Sequence, residues 1–405
     1  MQGGIAPGFI RTWDDLCKWY YKKIFKPKLK ITGAIRTLAN SLCEGIETER
    51  GRVNAIYEYV QRLRYVAVQM DDSGITPNEP EEILRRKYGD CKDKSILLLS
   101  LLKSINTRAE PALVLTKSKG YMDIFFPSWN FNHMIVKTTL EDSTELWIDS
   151  TAEWHQLGSI PTEVQGIPAL VLHQDGTSTV VQLSMTTHDD NQTNMVISVD
   201  MKSANETVVQ IELRYKGEQA AYIKGEMKDN SPRAVEEYCK SIIVPMLLKG
   251  RIYDISYGNI EATENRYRLS FKVSAPDLLQ NQETLHFMPP IPIIPLNDFG
   301  WFDNESRVHP IMLPFSKTIT QTIRIDYPSE NLILKAVPSD MELHSKAMDY
   351  LEKITLSKEG SFEIVKTFVL KQAYIKPAQY ETIQSFLRKI QQKGREQLVF
   401  QDNRK

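Results

Sequence analysis

The chain has 405 residues, with 50 Lys and Arg against 51 Asp and Glu, a formal net charge of −1 and 41% hydrophobic residues. This length exceeds what one hydrophobic core usually organises, so we expect two or three domains. The balanced charge excludes an overall field that would attract nucleic acid, and we predict no nucleic-acid partner. The cysteines at positions 17, 43, 91 and 239 have neither zinc-ligand nor disulfide-framework spacing.

The sequence has no pattern typical of a membrane span, a secretory signal or a calcium-binding loop. The longest strongly apolar run, Ile96 to Leu102, has seven residues, well short of the roughly 20 that span a bilayer, so we expect no transmembrane segment. The first residues, MQGGIAPGFIRTWDD, lack the basic and apolar regions of a secretory signal. Carboxylates such as Asp71 and Asp189 do not follow calcium-loop spacing, and we predict no metal or other cofactor.

A basic, aromatic segment begins the chain. From Trp13 to Lys30 it has six lysines, interleaved with Trp19, Tyr20 and Phe25. The pattern favours a surface helix with one packed face, and contact with a membrane or nucleic acid is the alternative. We assign residues 1–30 to this N-terminal arm.

A series of helices is predicted next. Apolar residues recur at steps of three and four from Ile31 to Tyr65, which indicates two amphipathic helices. The turn-forming stretch Ser73 to Pro80 precedes a short helix from Glu81 to Lys87. Asp90 can cap a helix from Cys91 to about Ile105. Because that helix is apolar on nearly all sides, it should lie buried in a domain.

Three strand-like segments follow: Ala112 to Leu115, His133 to Thr138 and Glu145 to Asp149. A polar turn at residues 141–143 joins the last two into an antiparallel hairpin that we expect to pack on the buried helix. The separations 141 − 133 = 8 and 149 − 141 = 8 make His133 and Asp149 neighbours across that hairpin.

The pattern changes after Leu172. Apolar and polar residues alternate from Val209 to Lys216 and from Arg266 to Val273, as in half-buried strands. A helix is predicted from Ser231 to about Ile243. Six prolines between Met288 and Pro314 favour irregular chain there.

The end of the chain is predicted to form a hairpin, Tyr350 to Leu356 with Phe362 to Leu370, and then a helix from Pro377. The whole pattern predicts an α+β fold with a mainly β C-terminal region. After the arm we divide the chain into a catalytic domain at residues 31–175, a β-rich domain at residues 176–335, and a hairpin plus helix at residues 336–405 packed on the β-rich domain.

Cys91 is the candidate nucleophile. A helix N-terminus stabilises a thiolate through the positive end of the helix dipole, and lysines at positions 92 and 94 lie in the same turn. The Cys91 backbone N–H can form half of an oxyanion hole. Gln69, 91 − 69 = 22 residues upstream, is a candidate for the second donor.

The thiolate also needs a group that takes and returns a proton. His133 is the candidate base, and Asp149 is the candidate acceptor that fixes its tautomer. Trp129 precedes His133 by four residues and is a candidate for lining the cleft, with packing as the alternative. The other three cysteines lie on amphipathic helical patterns, so we predict that they are packed as small hydrophobic residues.

Three blocks carry a family resemblance: YGDCKDKSILLLSLLKSINTRAEPALVL, FNHMIV and LWIDST. They resemble the cysteine, histidine and aspartate blocks of bacterial transglutaminase-like proteins, in the same order and with gaps of 133 − 91 = 42 and 149 − 133 = 16 residues. The resemblance implies a papain/transglutaminase-like core, in which a buried helix that starts at the nucleophile packs on an antiparallel sheet. It also implies a catalytic triad of Cys91, His133 and Asp149.

The resemblance extends to the arm and to the C-terminal strands, hairpin and helix. Multidomain bacterial members commonly carry an additional N-terminal β domain and an export signal to the periplasm or cell surface. This sequence has neither, so we expect a fragment or a shortened relative, and its location stays open.

These observations predict a cysteine-dependent enzyme that acts on peptide or amide bonds of a protein or peptide substrate through a thioester. The thioester passes to water or to another amine, and the residues alone do not choose between these acceptors. The alternative is a catalytically silent transglutaminase-like scaffold that binds another protein. The sequence makes no prediction of oligomeric state.

Overall fold

The structure, a computed structural model, describes residues 10–66, 74–203, 206–227, 231–246, 250–260, 264–276, 278–293, 302, 306–358 and 360–403. It divides into two compact units, Met1–Met185 and Thr186–Lys405. Within the described ranges, no helix combines the length and the hydropathy that crossing a membrane requires.

The first unit contains helices and two sheets. Its helices are α1 (Trp13–Cys17), α2 (Gly33–Cys43), α3 (Glu49–Gln61), α4 (Pro80–Arg86) and α5 (Cys91–Ser104). Its strands are β1 (Arg64–Tyr65), β2 (Tyr88–Gly89), β3 (Arg108–Val114), β4 (His133–Thr139), β5 (Glu145–Ile148), β6 (Pro168–Leu172) and β7 (Ser178–Gln182). These bounds confirm the helices and strands predicted for this part of the chain to within a few residues.

The helix α5 lies at the centre of this unit. Every residue from Cys91 to Leu102 is buried, because α2, α3 and α4 pack around the helix and strands β3 and β4 pack against it. Five of the described strands form an antiparallel sheet in the order β5-β4-β3-β6-β7. The predicted α+β arrangement, a buried helix on an antiparallel sheet, is therefore confirmed.

The N-terminal arm packs into the same core. Helix α1 continues into a π-helical segment, Lys18–Phe25. The apolar side of the arm is buried with α5, and the lysines at positions 18, 22, 23 and 26 are exposed. This confirms a surface helix with one packed face.

The division between the units differs from the predicted boundary at residues 175 and 176. That boundary falls inside a hairpin, because the whole of β7 pairs with β6. The turn between these strands is closed by a hydrogen bond from His173 N to Thr177 O of 3.0 Å, and Gly176 adopts a φ of +97° there. The predicted boundary therefore coincides with a tight turn inside one sheet.

The second unit is mainly β-structure. Its helices are α6 (Glu218–Glu226), α7 (Pro232–Ile243) and α8 (Tyr380–Lys393). Its strands are β8 (Gln192–Ser203), β9 (Glu206–Lys216), β10 (Arg251–Tyr257), β11 (Arg266–Ser274), β12 (Gln280–Gln282), β13 (Leu285–Met288), β14 (Ile311–Met312), β15 (Lys317–Asp326), β16 (Leu332–Ala336), β17 (Met341–His344), β18 (Met348–Lys358), β19 (Ser361–Leu370), β20 (Tyr374–Ile375) and β21 (Leu398–Asp402).

The predicted β-rich domain and C-terminal hairpin share one sheet. Counted over the described residues it has eight strands, in the order β10-β11-β9-β8-β15-β19-β18-β17. Strands β15 and β8 pair in parallel, and the predicted hairpin β18–β19 joins the sheet through β15. Apolar residues of α8 share a core with β15, β18 and β19. Residues 336–405 therefore belong to the same compact unit as the strands before them.

Candidate active site

Cys91 is the first residue of α5. Asp90 caps the helix, with its carboxylate Oδ1 accepting a hydrogen bond of 3.0 Å from Asp93 N. Gly89 allows the backbone before the cap to lie close to the Asp93 side chain, because a Cβ at position 89 would lie 2.7 Å from the Asp93 Cβ. The Cys91 sulfur is thus held at a helix N-terminus, where the dipole favours negative charge.

The short strands β1 and β2 hold the residues that immediately precede Cys91. Strand β2 pairs in parallel with β1, with Tyr65 opposite Gly89. Val66 N also donates to Gly89 O at 3.1 Å. On the other side of the site, Ser95 Oγ donates to Met134 O at 3.2 Å and ties α5 to the beginning of β4.

The predicted pairing of His133 and Asp149 is present. The imidazole Nε2 lies 2.8 Å from Asp149 Oδ2, because β4 and β5 pair in an antiparallel register with Val136 opposite Ile148. The second carboxylate oxygen, Oδ1, accepts hydrogen bonds from Thr151 N at 2.9 Å and from Thr151 Oγ1 at 2.7 Å. The orientation of the carboxylate is therefore fixed on both sides.

Cys91 contributes to the raised pKa of His133, which indicates that the thiol lies close to the imidazole. Because Nε2 faces Asp149, Nδ1 is the imidazole nitrogen that remains for the sulfur. His133 therefore has the Asp149 carboxylate on one side and the Cys91 thiol nearby. The exposed fractions are 2% for Cys91, 8% for His133 and 1% for Asp149, so access from solvent is narrow.

The electrostatics favour a charged pair between His133 and Asp149. Burial acts to lower the pKa of His133, but the charge and hydrogen bond of Asp149, with a contribution from Cys91, raise it well above its ordinary value. Burial acts to raise the pKa of Asp149, but His133 and the Thr151 hydrogen bonds lower it to about 2. An imidazolium beside a carboxylate is thus the stable form near neutral pH.

Both lysines of the first turn of α5 have other partners. Lys92 forms a buried ion pair with Asp90. Lys94, fully buried, donates from Nζ to Gln61 O and to Leu63 O, both at 3.0 Å. These carbonyls lie at the C-terminal end of α3, so Lys94 caps that helix from inside the core.

Gln61 continues this network to the segment that carries Asp149. Its Nε2 donates to Ala152 O at 2.6 Å and to His155 O at 2.8 Å. The Tyr57 hydroxyl also donates to His155 O, at 2.9 Å. The helix that begins at Cys91 and the loop after Asp149 are therefore held to the same end of α3.

Burial of Lys94 has a measurable consequence for stability. Burial lowers its pKa to about 8, with Asp149 and Glu153 partly opposing the shift. Between this value and the ordinary value of 10.5, the unfolded chain binds more protons at this position than the folded chain does. The Lys94 contribution to the free energy of unfolding therefore rises with pH across that window.

We expect Lys94→Met to remove this rise. Urea unfolding at several pH values gives the free energy of unfolding of each protein. The wild-type value minus the variant value should grow by at most about 3 kcal/mol from pH 8 to pH 10.5. The exposed Lys119 of the same unit supplies the matched control, Lys119→Met. A difference that stays flat with pH for Lys94→Met would contradict the assignment.

The two additional predicted site residues have different outcomes. Gln69 lies outside the described residues. Trp129 is partly buried and its ring packs on Tyr20 at 4.9 Å and on Trp19 at 5.6 Å between centroids. Packing against the N-terminal arm, the alternative for Trp129, accounts for these contacts.

Two tyrosines that the sequence did not single out as site residues lie near the thiol. Burial first, and then the charges of Cys91 and Asp90, raise the pKa of Tyr20 and of Tyr65 above the ordinary value. Packing of the N-terminal arm brings Tyr20 near the thiol, and the β1–β2 pairing brings Tyr65 there. Neither arrangement has a local sequence signal. Within the described residues, no group of three or more His, Cys, Asp or Glu side chains is arranged to hold a metal ion.

Comparisons with known proteins match two parts of the chain to families. Residues 36–152 match the model of the transglutaminase-like superfamily, and residues 284–400 match a domain of unknown function, DUF3858. No curated protein matches the chain.

A solved structure from Parabacteroides distasonis ATCC 8503, named a "putative protease", is similar with a TM-score of 0.59 and 15% sequence identity. The match covers 97% of this chain and 59% of that one. At this identity the similarity shows the fold alone.

Proposed function

We propose that this chain, whose residues 36–152 belong to the transglutaminase-like superfamily, is a cysteine-dependent acyl-transfer enzyme acting on peptide or amide bonds. The observation that carries the proposal is the pairing of His133 with Asp149 close to a cysteine at the N-terminus of a buried helix. The chemistry needs a proton acceptor for the sulfur and a carboxylate that fixes that acceptor, and the contact of His133 with Asp149 supports this assignment.

In the first half of the reaction, the Cys91 thiolate attacks the carbonyl carbon of the amide. A C–S bond forms, and the carbonyl electron pair moves to oxygen, which the Cys91 backbone N–H at the start of α5 can stabilise. Collapse of this intermediate breaks the C–N bond. His133 gives its proton to the leaving amine, and the acyl group remains on sulfur as a thioester.

In the second half, water or a second amine attacks the thioester carbon. His133 accepts a proton from the attacking group, and the C–S bond breaks to regenerate the thiolate. Asp149 keeps the imidazole in one tautomer and stabilises its charged form throughout. Hydrolysis and amine transfer share every step up to the thioester, so access of water to that thioester decides between them.

The test is alkylation of Cys91 by iodoacetamide across pH, followed by mass spectrometry of each cysteine peptide. An activated Cys91 should react well below pH 8, whereas an ordinary thiol titrates near about 8.5. In His133→Ala the advantage at low pH should disappear, because the imidazolium that stabilises the thiolate is gone.

The other cysteines are internal controls for the same experiment. Burial raises the pKa of Cys17 to about 11 and that of Cys239 to about 12, and burial also raises the pKa of the partly exposed Cys43. They should remain unmodified at low pH in the wild type and in His133→Ala.

One observation favours a second candidate, a catalytically silent scaffold. Cys91 is only 2% exposed, and a sulfur with so little access is compatible with a structural role. The alkylation experiment separates the two functions. If Cys91 reacts with the pH dependence of an ordinary thiol in both the wild type and His133→Ala, the scaffold function replaces the enzyme.

A further inference from the structure

A buried ion pair brackets the candidate nucleophile. Asp90 is the residue before Cys91 and Lys92 is the residue after it, and the Lys92 ammonium group contacts Asp90 Oδ2. The side chain of Lys92 is 4% exposed and that of Asp90 is 3% exposed, so solvent and salt screen these charges little. Each of the two charges therefore acts strongly on the ionisation of a sulfur in the same turn.

The Asp90 carboxylate is fixed beside the sulfur. Its Oδ1 accepts a hydrogen bond of 3.0 Å from Asp93 N and caps α5. The preceding residue, Gly89, is held by the pairing of β1 with β2, where Val66 N donates to Gly89 O at 3.1 Å. A carboxylate is an efficient cap at this position, but its negative charge opposes a thiolate on the next residue.

Lys92 supplies the opposite charge to this carboxylate. It contacts Oδ2, the oxygen that the helix cap does not use. Burial raises the pKa of Asp90, and the Lys92 hydrogen bond opposes that rise. The two oxygens of Asp90 therefore have separate partners: Oδ1 accepts from the helix backbone, and Oδ2 holds a cation.

Lys94, the other lysine of the first turn, has a different arrangement. Its Nζ donates to the carbonyl oxygens of Gln61 and Leu63, both at 3.0 Å. These acceptors are neutral and lie at the C-terminal end of α3, so the Lys94 charge is committed to another helix. Of the two first-turn lysines, Lys92 is the one that is paired with Asp90.

We propose that Lys92 is a positioning residue for acyl transfer: through its ion pair it cancels the charge of the Asp90 cap, so that the cap does not oppose ionisation of Cys91. This inference rests on the proposed function and names a residue that sets the reactivity of its nucleophile. Lys92 acts through Asp90 and needs no contact with the substrate. A carboxylate cap and a thiolate can then occupy consecutive residues of one buried turn.

Other charged and titratable groups also act on this turn. They come from the N-terminal arm, β1, α4, α5 itself, β4 and the segment after β5. These groups are Tyr20, Tyr65, Arg86, Asp93, His133 and Asp149. All of them stay unchanged in variants at positions 90 and 92, so differences among those variants report the charges of the ion pair.

The test is the pH dependence of Cys91 alkylation by iodoacetamide in the full chain, with the modified peptide quantified by mass spectrometry. In Lys92→Met the pH of half-maximal rate should rise by about one unit, because the Asp90 charge is no longer cancelled and the Asp93 N–H still favours the ionised carboxylate. In Asp90→Asn it should fall by about one unit, because asparagine also caps a helix and leaves the Lys92 charge unopposed. The double variant should return close to the wild-type value.

Opposite shifts separate this role from a purely structural one. An ion pair that only holds the cap in place would change the reactivity of Cys91 in the same direction in both single variants. Lys92→Gln keeps a hydrogen-bond donor for Asp90 without the charge, and it should shift as Lys92→Met does. Thermal unfolding identifies any variant that has lost its fold. Asp90→Asn retains a capping side chain and provides the test by its sign if the Lys92 variants unfold.

The matched control is Lys30→Met, which breaks an exposed ion pair of the same unit, with Glu79 at 2.8 Å. It should leave the pH of half-maximal rate unchanged. Shifts of the same sign in Lys92→Met and Asp90→Asn, the absence of a shift in both, or an equal shift in the control would overturn the proposal.

Failure of this inference is distinguishable from failure of the proposed function. The proposed function predicts the wild-type value itself, and a wild-type value near about 8.5, as for an ordinary thiol, would contradict it. The inference about Lys92 predicts only the displacement of the variants from the wild-type value. Opposite displacements around an ordinary value would therefore support the charge compensation without supporting the enzyme.

Discussion

Asp149→Asn should leave the fold intact and lower kcat by roughly 10⁴-fold. The reason lies in the two hydrogen bonds that Thr151 donates to Asp149 Oδ1. In the asparagine variant the amide oxygen is held toward these donors, and the amide NH₂ turns toward His133 Nε2. That nitrogen must then be unprotonated, so the proton moves to Nδ1 and points at Cys91, where the imidazole is no longer a base.

The measurement is amide turnover of labelled β-casein, with both kcat and KM, at pH values across the neutral range. Thermal unfolding of the same samples reports whether the fold is preserved. Thr151→Val is the matched control, because it removes one donor and retains the Thr151 backbone N–H. We expect a loss of about tenfold there. Wild-type turnover in Asp149→Asn would remove Asp149 from the mechanism.

Cys91→Ser should reduce acyl transfer by at least about 10⁴-fold, the largest effect expected of any single substitution. A serine hydroxyl is a far weaker acid than a thiol, so the interactions that stabilise a thiolate at the start of α5 do not ionise it. The substitution removes no buried volume of consequence and should leave thermal unfolding close to that of the wild type.

Two assays on β-casein follow this variant: release of peptides reports hydrolysis, and incorporation of a fluorescent primary amine reports transfer. Both depend on the same thioester, so both should disappear together in Cys91→Ser. A chloroacetyl-capped peptide should add one label to the wild-type protein and none to the variant, as seen in the intact mass. Labelling of Cys91→Ser at the wild-type rate would locate the nucleophile elsewhere.

Two parts of the candidate site, the start of α5 and the β4–β5 hairpin, are formed by residues that lie close together in the chain. Asp90 caps α5 because its short side chain, just before the helix, places the carboxylate where it accepts a hydrogen bond from a backbone N–H of the first turn. The pairing of His133 with Asp149 follows from one hairpin, in which a short turn fixes the register of β4 and β5. These features depend on residues close in the chain, so the sequence could predict them.

Other features depend on segments far apart in the chain. The sequence places Lys94 in the same helical turn as Cys91, and in the structure its ammonium group caps α3, 94 − 61 = 33 residues from Gln61. Trp129 packs on an arm that is more than a hundred residues upstream, and the same arm brings Tyr20 near Cys91. Periodicity reports which face of a helix is buried, and it does not report which partner covers that face.

The division of the chain shows the same limit. The change of pattern after Leu172 predicts a domain boundary at residues 175 and 176, but β7 pairs with β6 and extends the first sheet. By itself, the sequence determined the helix at Cys91, the hairpin of His133 and Asp149, and the alternation of the C-terminal strands, because each arises from local hydrogen bonding. The tertiary structure alone decided how deeply the thiol is buried, where the lysine charges point and which strands share a sheet, because these result from side chains that meet only when the whole core has packed.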